Sequence, residues 1–123
     1  MRVKDAVGRF GEQVAAQYLT DAGLVLVERN WRCARGEIDI IAVDGQALVF
    51  IEVKTRSSVA FGDPAEAVTA AKAGRIRLLA AQWLSDRRAN ADRPAWQELR
   101  FDVVCVVRRA AGPPLVRHLK AAF

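Results

Sequence analysis

The stretch Glu37-Ile38-Asp39-Ile40-Ile41-Ala42-Val43-Asp44-Gly45-Gln46-Ala47-Leu48-Val49-Phe50-Ile51-Glu52-Val53-Lys54-Thr55 reads as two apolar, β-branched runs on either side of Asp44-Gly45. Asp-Gly between such runs is a strong hairpin signal, so residues 37–43 and 47–55 are predicted to pair antiparallel. Residues two apart on a strand share a face, which puts Leu48, Phe50, Glu52 and Lys54 on one side and Val49, Ile51 and Val53 on the other. Both sides are mostly apolar, as in a strand inside a sheet covered on both faces. An unpaired charge is costly there, so Glu52 and Lys54 require compensation.

The hairpin register decides what stands beside them. A two-residue loop at Asp44-Gly45 sets Asp39 opposite Phe50 and diagonal to Glu52, whereas a four-residue loop sets it directly opposite Glu52. In either case Asp39, Glu52 and Lys54 project from one face, with the two carboxylates within about 5–8 Å at Cβ. A three-residue loop breaks this unless a bulge restores it. Carboxylates that close repel unless a cation lies between them, and hard oxygen donors are what Mg²⁺ or Mn²⁺ prefers. With a lysine alongside, the set suits phosphodiester hydrolysis: the metal activates water and binds a phosphate oxygen while Lys54 orients the water and stabilises developing charge. The plain alternative is that Glu-x-Lys is a chance pattern, with Lys54 reaching solvent at a strand end and Glu52 paired with Arg56 or Arg35.

Outward from the hairpin, residues 5–22 carry Val7, Phe10, Val14, Tyr18 and Leu19 at three- and four-residue steps, predicting an amphipathic helix closed by Gly23. Residues 24–29 read as a short strand and 30–36 as a loop. After a loop at 57–62, a second helix can begin at Asp63-Pro64-Ala65-Glu66 or at Thr69, and it runs to Ser85. Its apolar stripe is Ile76, Leu79, Ala80, Trp83 and Leu84, with Lys72, Arg75 and Arg77 pointing elsewhere. Residues 100–107 form a buried-looking strand and 115–119 a last edge strand. The order helix, three strands, helix, two strands predicts an α/β domain.

At 123 residues the chain suits a single domain spanning 1–123. Its net charge of +5 favours a polyanionic partner without specifying one. Cys33 and Cys105 have no partners at zinc-finger spacing, which argues for a reduced protein without structural zinc. No segment is long and apolar enough to cross a bilayer and no secretory pattern opens the chain, so a soluble, cytoplasmic protein is expected.

Gly36-Glu37-Ile38-Asp39-Ile40-Ile41-Ala42, followed by Val49-Phe50-Ile51-Glu52-Val53-Lys54-Thr55-Arg56, resembles the YraN family of small endonuclease-like proteins. Gly8, Gly11-Glu12, Ala15, Tyr18-Leu19, Arg29-Asn30, Phe61-Gly62, Lys72 with Arg75, Trp83-Leu84, residues 100–104 and Ala122-Phe123 extend the resemblance along nearly the whole chain. The family is similar to restriction-endonuclease-like nucleases, and in particular to archaeal resolvases of four-way DNA junctions. The resemblance implies a central mixed β-sheet of about four to five strands flanked by α-helices. It also implies a metal-dependent DNA endonuclease of PD-(D/E)xK type, with branched or junction DNA among its substrates. Asp39, Glu52 and Lys54 would be the catalytic residues; Glu12, Asp39 and Glu52 would hold Mg²⁺ or Mn²⁺. Ile38 stands where the signature has proline, which is not a ligand. Similarity to resolvases further implies a homodimer.

Arg32, Arg35, Arg56, Lys72 and Arg75 are candidates for neutralising DNA phosphates. Glu37 is read as exposed, Asp102 as pairing with an arginine to hold a strand end, Trp31 as core and His118 as an edge-strand residue. Two rival functions are a nucleic-acid-binding module that does not cut and an interaction protein whose acidic cluster is a salt-bridge network. The first predicts salt-sensitive binding indifferent to Asp39→Ala. The second predicts that Lys54→Ala destabilises the fold and that metal leaves Tm unchanged.

Overall fold

The computed structural model describes residues 3–57, 68–89 and 96–123. Along them run α1 (Val3–Asp21), β1 (Val25–Cys33), β2 (Gly36–Asp44), β3 (Ala47–Arg56), α2 (Ala70–Ala89), β4 (Glu98–Val107) and β5 (Leu115–Leu119). The strands form one five-stranded sheet in the order β1-β2-β3-β4-β5. β3 and β4 are parallel and the other neighbours antiparallel, so the sheet is mixed and α2 lies in the β3-to-β4 crossover. This is the restriction-endonuclease-like α/β arrangement anticipated from the sequence.

Alternation along the central strands divides their side chains between two layers. Ile40, Ala42, Val49, Ile51, Val53, Val104 and Val106 pack with Ala15, Ala16 and Leu19 of α1. Ile41, Leu48, Phe50 and Phe101 pack on the opposite face with Ile76, Leu79, Ala80 and Trp83 of α2. Phe50 anchors this second layer, 5.9 Å from Trp83 in an edge-to-face contact and 5.5 Å from Phe101 in a stacked one. Burying so large a ring stabilises the fold by ~1.5–3 kcal/mol.

Helix ends follow local chemistry. Gly23, at φ 97°, closes α1: its N–H donates to Thr20 O and that of Leu24 to Leu19 O, both at 3.0 Å. Thr69 caps α2, its Oγ1 accepting the Lys72 N–H at 3.2 Å. The alternative start at residues 63–66 lies outside the described residues.

Four details differ from the sequence reading. β1 continues to Cys33 where a loop had been read from residue 30, leaving Ala34-Arg35 as the turn. The β2–β3 turn is Gly45-Gln46, since Asp44 pairs with Ala47, so it is a two-residue loop one position later than expected. On α1 the sheet-facing residues are the small Gly11, Ala15 and Ala16 with Leu19, whereas Phe10 and Tyr18 are each 40% exposed. Small residues let the helix approach the sheet closely, and an ideal Cβ on Gly11 would meet Thr55 Cβ at 2.8 Å. α2 runs one turn beyond Ser85, to Ala89. The cysteines are free, Cys105 buried and Cys33 half-buried.

Candidate active site

The site is made where β2 and β3 part. Their pairing ends at Ile40 opposite Ile51, yet β2 stays with β1 back to Gly36 and β3 stays with β4 out to Arg56. Continuing the register one step brings Asp39 level with Glu52, the arrangement foreseen for the four-residue loop. Asp39 bridges the fork itself: its Oδ2 accepts the Val53 N–H at 2.8 Å, satisfying a donor the interrupted ladder leaves over.

Strand alternation is broken at this point. Ile38 and Ile41, three residues apart, both pack on the α2 side, so Asp39 lies at an irregularity and not in a regular row with Ile41. Across from it on β1, Asn30 adopts φ 53°, a left-handed conformation that asparagine tolerates better than most residues. With its amide nitrogen turned toward α1, Asn30 reaches both Glu12 oxygens at 3.2 Å. The first helix thus delivers Glu12, and β1 holds it.

The fork opens into a cleft of about 440 Å³ lined by Val7, Gly8, Glu12, Glu37, Asp39, Glu52, Val53, Lys54 and Thr55. Glu12, Asp39, Glu52 and Lys54, chosen from the sequence, are therefore brought together. Burial and the charge of Glu52 push the Asp39 carboxyl up to about 7, against the pull of the Val53 N–H, and Glu12 and Glu37 add to the rise. Burial, with Glu37 adding, also raises Glu12. Burial and the neighbouring Lys72 lower the Lys54 ammonium.

Lys72 is the residue whose position the sequence did not foretell. Read as a helix-surface residue around the site that would meet a DNA phosphate, it reaches Glu52 from the first turn of α2, Nζ to Oε1 2.8 Å. Glu52 is therefore compensated by Lys72, and not by Arg35 or Arg56 as the plain reading had it. Burial opposes the charge of Lys72, but the Glu52 hydrogen bond and charge outweigh it and raise its pKa. Glu37 is exposed, as read, and also lines the cleft and pairs with Arg32 at 2.9 Å.

The basic candidates divide by location. Arg32 and Arg35 border a second cleft of about 410 Å³ at the β1–β2 turn, which shares Glu37 with the first. Arg75 lies beside the same turn, its Cδ 3.8 Å from where a Cβ on Gly36 would stand. Arg56 ends β3, just beyond Lys54. Trp31 packs against the α2 layer, as expected of a core residue. Asp102 is buried and binds Arg100, the anticipated strand-end arginine pair. His118 lies on β5 as read, but it does meet a carboxylate, Asp102 Oδ2 at 2.7 Å, brought to it by the sheet.

A five-stranded mixed sheet flanked by two helices defines a restriction-endonuclease-like fold. Within it, residues 11–106 match the model described as "Uncharacterised protein family UPF0102". The chain belongs to this family, the YraN family. It is 55% identical over 120 residues to a UPF0102 protein of Beutenbergia cavernae, covering 98% of both chains. It is 53% identical over 123 residues to one of Frankia alni, covering 100% of this chain and 98% of the relative. No helix among the described residues is long and apolar enough to cross a membrane.

Proposed function

We propose that this chain is a metal-dependent endonuclease acting on DNA, branched or junction DNA included. The observation that carries the reading is the convergence of Glu12, Asp39, Glu52 and Lys54 on one cleft, with Asp39 pushed up to about 7 by burial and neighbouring carboxylates.

The donor chemistry fits a hard divalent cation, because oxygens that repel one another gain most from one. The side chains as they stand are not gathered tightly: among the described residues no three His, Cys, Asp or Glu form a ready metal centre, and Glu52 is taken by Lys72. Glu12, Asp39 and Glu52 would hold Mg²⁺ or Mn²⁺, which supplies a water of lowered pKa and Lewis acidity at phosphate. Asn30 and the Val53 N–H orient the carboxylates. Lys54 donates hydrogen bonds to the attacking water and to a non-bridging oxygen as its charge grows. Water oxygen bonds to phosphorus and gives its proton to solvent, the bond from phosphorus to the leaving sugar oxygen breaks, and that oxygen takes a proton from solvent, so no covalent enzyme intermediate is needed. Arg32, Arg35 and Arg75 at the neighbouring turn, with Arg56, would hold backbone phosphates. Cutting both sides of a junction calls for two such sites, which a homodimer would provide.

The test is cleavage of labelled branched, nicked, single-stranded and duplex DNA with Mg²⁺ or Mn²⁺ by wild type, Asp39→Ala and Lys54→Ala. Metal-dependent cutting abolished in both folded variants is the expected result, and cutting that persists in them refutes the assignment. The Lys72–Glu52 ion pair favours a second reading, a nucleic-acid-binding module that does not cut. It is supported instead if no substrate is cut while binding remains, salt-sensitive and unchanged by Asp39→Ala.

A further inference from the structure

Lys72 occupies an unfavourable place for a cation. It belongs to the first turn of α2, at the positive end of the helix dipole, and no acidic residue shares that turn. Its backbone N–H is already capped by Thr69. Its side chain reaches the cleft: the ammonium is 2.8 Å from Glu52 Oε1, with the side chains 36% and 10% exposed. Lys54 lies near enough for the like charge of Lys72 to add to burial in lowering its ammonium. Lys72 is thus a cation on the inner carboxylate of the pocket, carried on a flexible stem from the opposite layer.

Resting on the metal-dependent reading above, we infer that Lys72 is a positioning residue that holds Glu52 until a divalent cation replaces it. Metal binding and release of the Lys72–Glu52 ion pair are then one exchange, in which a cation of charge two displaces one of charge one from the same oxygen. Two consequences separate this role from a merely structural one. Removing the ammonium strengthens metal binding, because the ion no longer competes for Glu52, whereas loss of a structural strut would weaken it. The freed lysine remains at the cleft mouth, one helical turn from Arg75, where a DNA phosphate would pass.

The experiment is calorimetric titration of Mn²⁺ into the folded protein, in DNA-free buffer, for wild type, Lys72→Ala, Lys72→Arg, Arg77→Ala and Asp39→Asn. Lys72→Ala is expected to bind Mn²⁺ about tenfold more tightly, the equivalent of ~1.4 kcal/mol, with Lys72→Arg near wild type. Arg77→Ala removes an exposed charge from the same helix and controls for long-range electrostatics. Equal affinity in wild type and Lys72→Ala, or an equal gain in Arg77→Ala, overturns the inference while leaving the metal site intact, provided Asp39→Asn binds weakly. Absence of Mn²⁺ binding in wild type and Lys72→Ala alike overturns the metal-dependent reading and this inference with it. Binding seen only in Lys72→Ala supports the exchange most directly.

Discussion

In the unfolded chain Asp39 titrates near its ordinary value of 3.8, and in the fold burial and Glu52 push it up to about 7. Between those values the folded state holds a proton that the unfolded state has lost. The stability this confers is complete below the unfolded value and is lost as pH rises through the folded one. In the presence of a chelator, Asp39→Asn should therefore be more stable than wild type at pH 8, on the order of a few kcal/mol, with the difference fading toward pH 4. The asparagine oxygen can still accept the Val53 N–H, so the comparison isolates charge. Urea unfolding at stepped pH measures it, and a pH-independent difference would assign the effect to packing. Asp39, Glu52 and Lys54 were legible as a group because hairpin pairing constrains them whichever turn length applies. Lys72 was not, since its contact with Glu52 joins α2 to β3 and leaves no local pattern; the one hint was that Glu52 needed a cation.

Among the elements, α1 is set by the absence of a side chain. Gly11 lets the helix lie against Thr55 on β3, and the next residue, Glu12, is thereby aimed into the cleft. Gly11→Ala is expected to cost ~1–3 kcal/mol by overpacking and to weaken metal binding through the displaced Glu12. Combining it with Thr55→Gly should recover most of the lost stability, as read by thermal unfolding; no recovery would mean that the helix backbone, and not the contact, is at fault. The same close approach explains why the stripe read for α1 is only partly right: Leu19 and Val14 do pack on the sheet. Its large apolar residues set the apparent stripe, while the small ones make the contact, and Phe10 and Tyr18 remain partly exposed. β1 was cut short for a different reason: it is an edge strand with no fully buried residue, and the in–out alternation of Asn30 to Cys33 rests on Trp31 and Cys33, which are only half-buried. β3 and α2, buried by neighbours on regular periods, were legible almost to their ends.

Across the whole molecule, a second polar network balances the one in the cleft. Asp102 on β4 is fully buried, accepts Arg100 Nε at 2.9 Å and the Ala121 N–H at 3.0 Å, and meets His118 Nε2 at 2.7 Å. Arg100 continues to Asp44 at 2.8 Å, beside the Gly45-Gln46 turn at the opposite end of β2 and β3 from the cleft. One carboxylate therefore joins β4, β5 and the chain after β5 to the hairpin. Burial raises its pKa, but hydrogen bonds from His118 and Arg100 prevail and hold it below the usual value. Its stabilisation is accordingly present above the unfolded value of 3.8 and lost as pH falls through the folded one. Asp102→Ala leaves the part-buried Arg100 with Asp44 as its remaining carboxylate and should cost ~1–3 kcal/mol at pH 7 in urea unfolding. The deficit should narrow as acid protonates Asp102 in the wild type. Metal affinity of the variant that remains folded should be unchanged, because the network secures the sheet and its edge while the cleft is built from the fork of β2 and β3; a parallel loss of metal affinity would show that the two ends of the hairpin are mechanically linked.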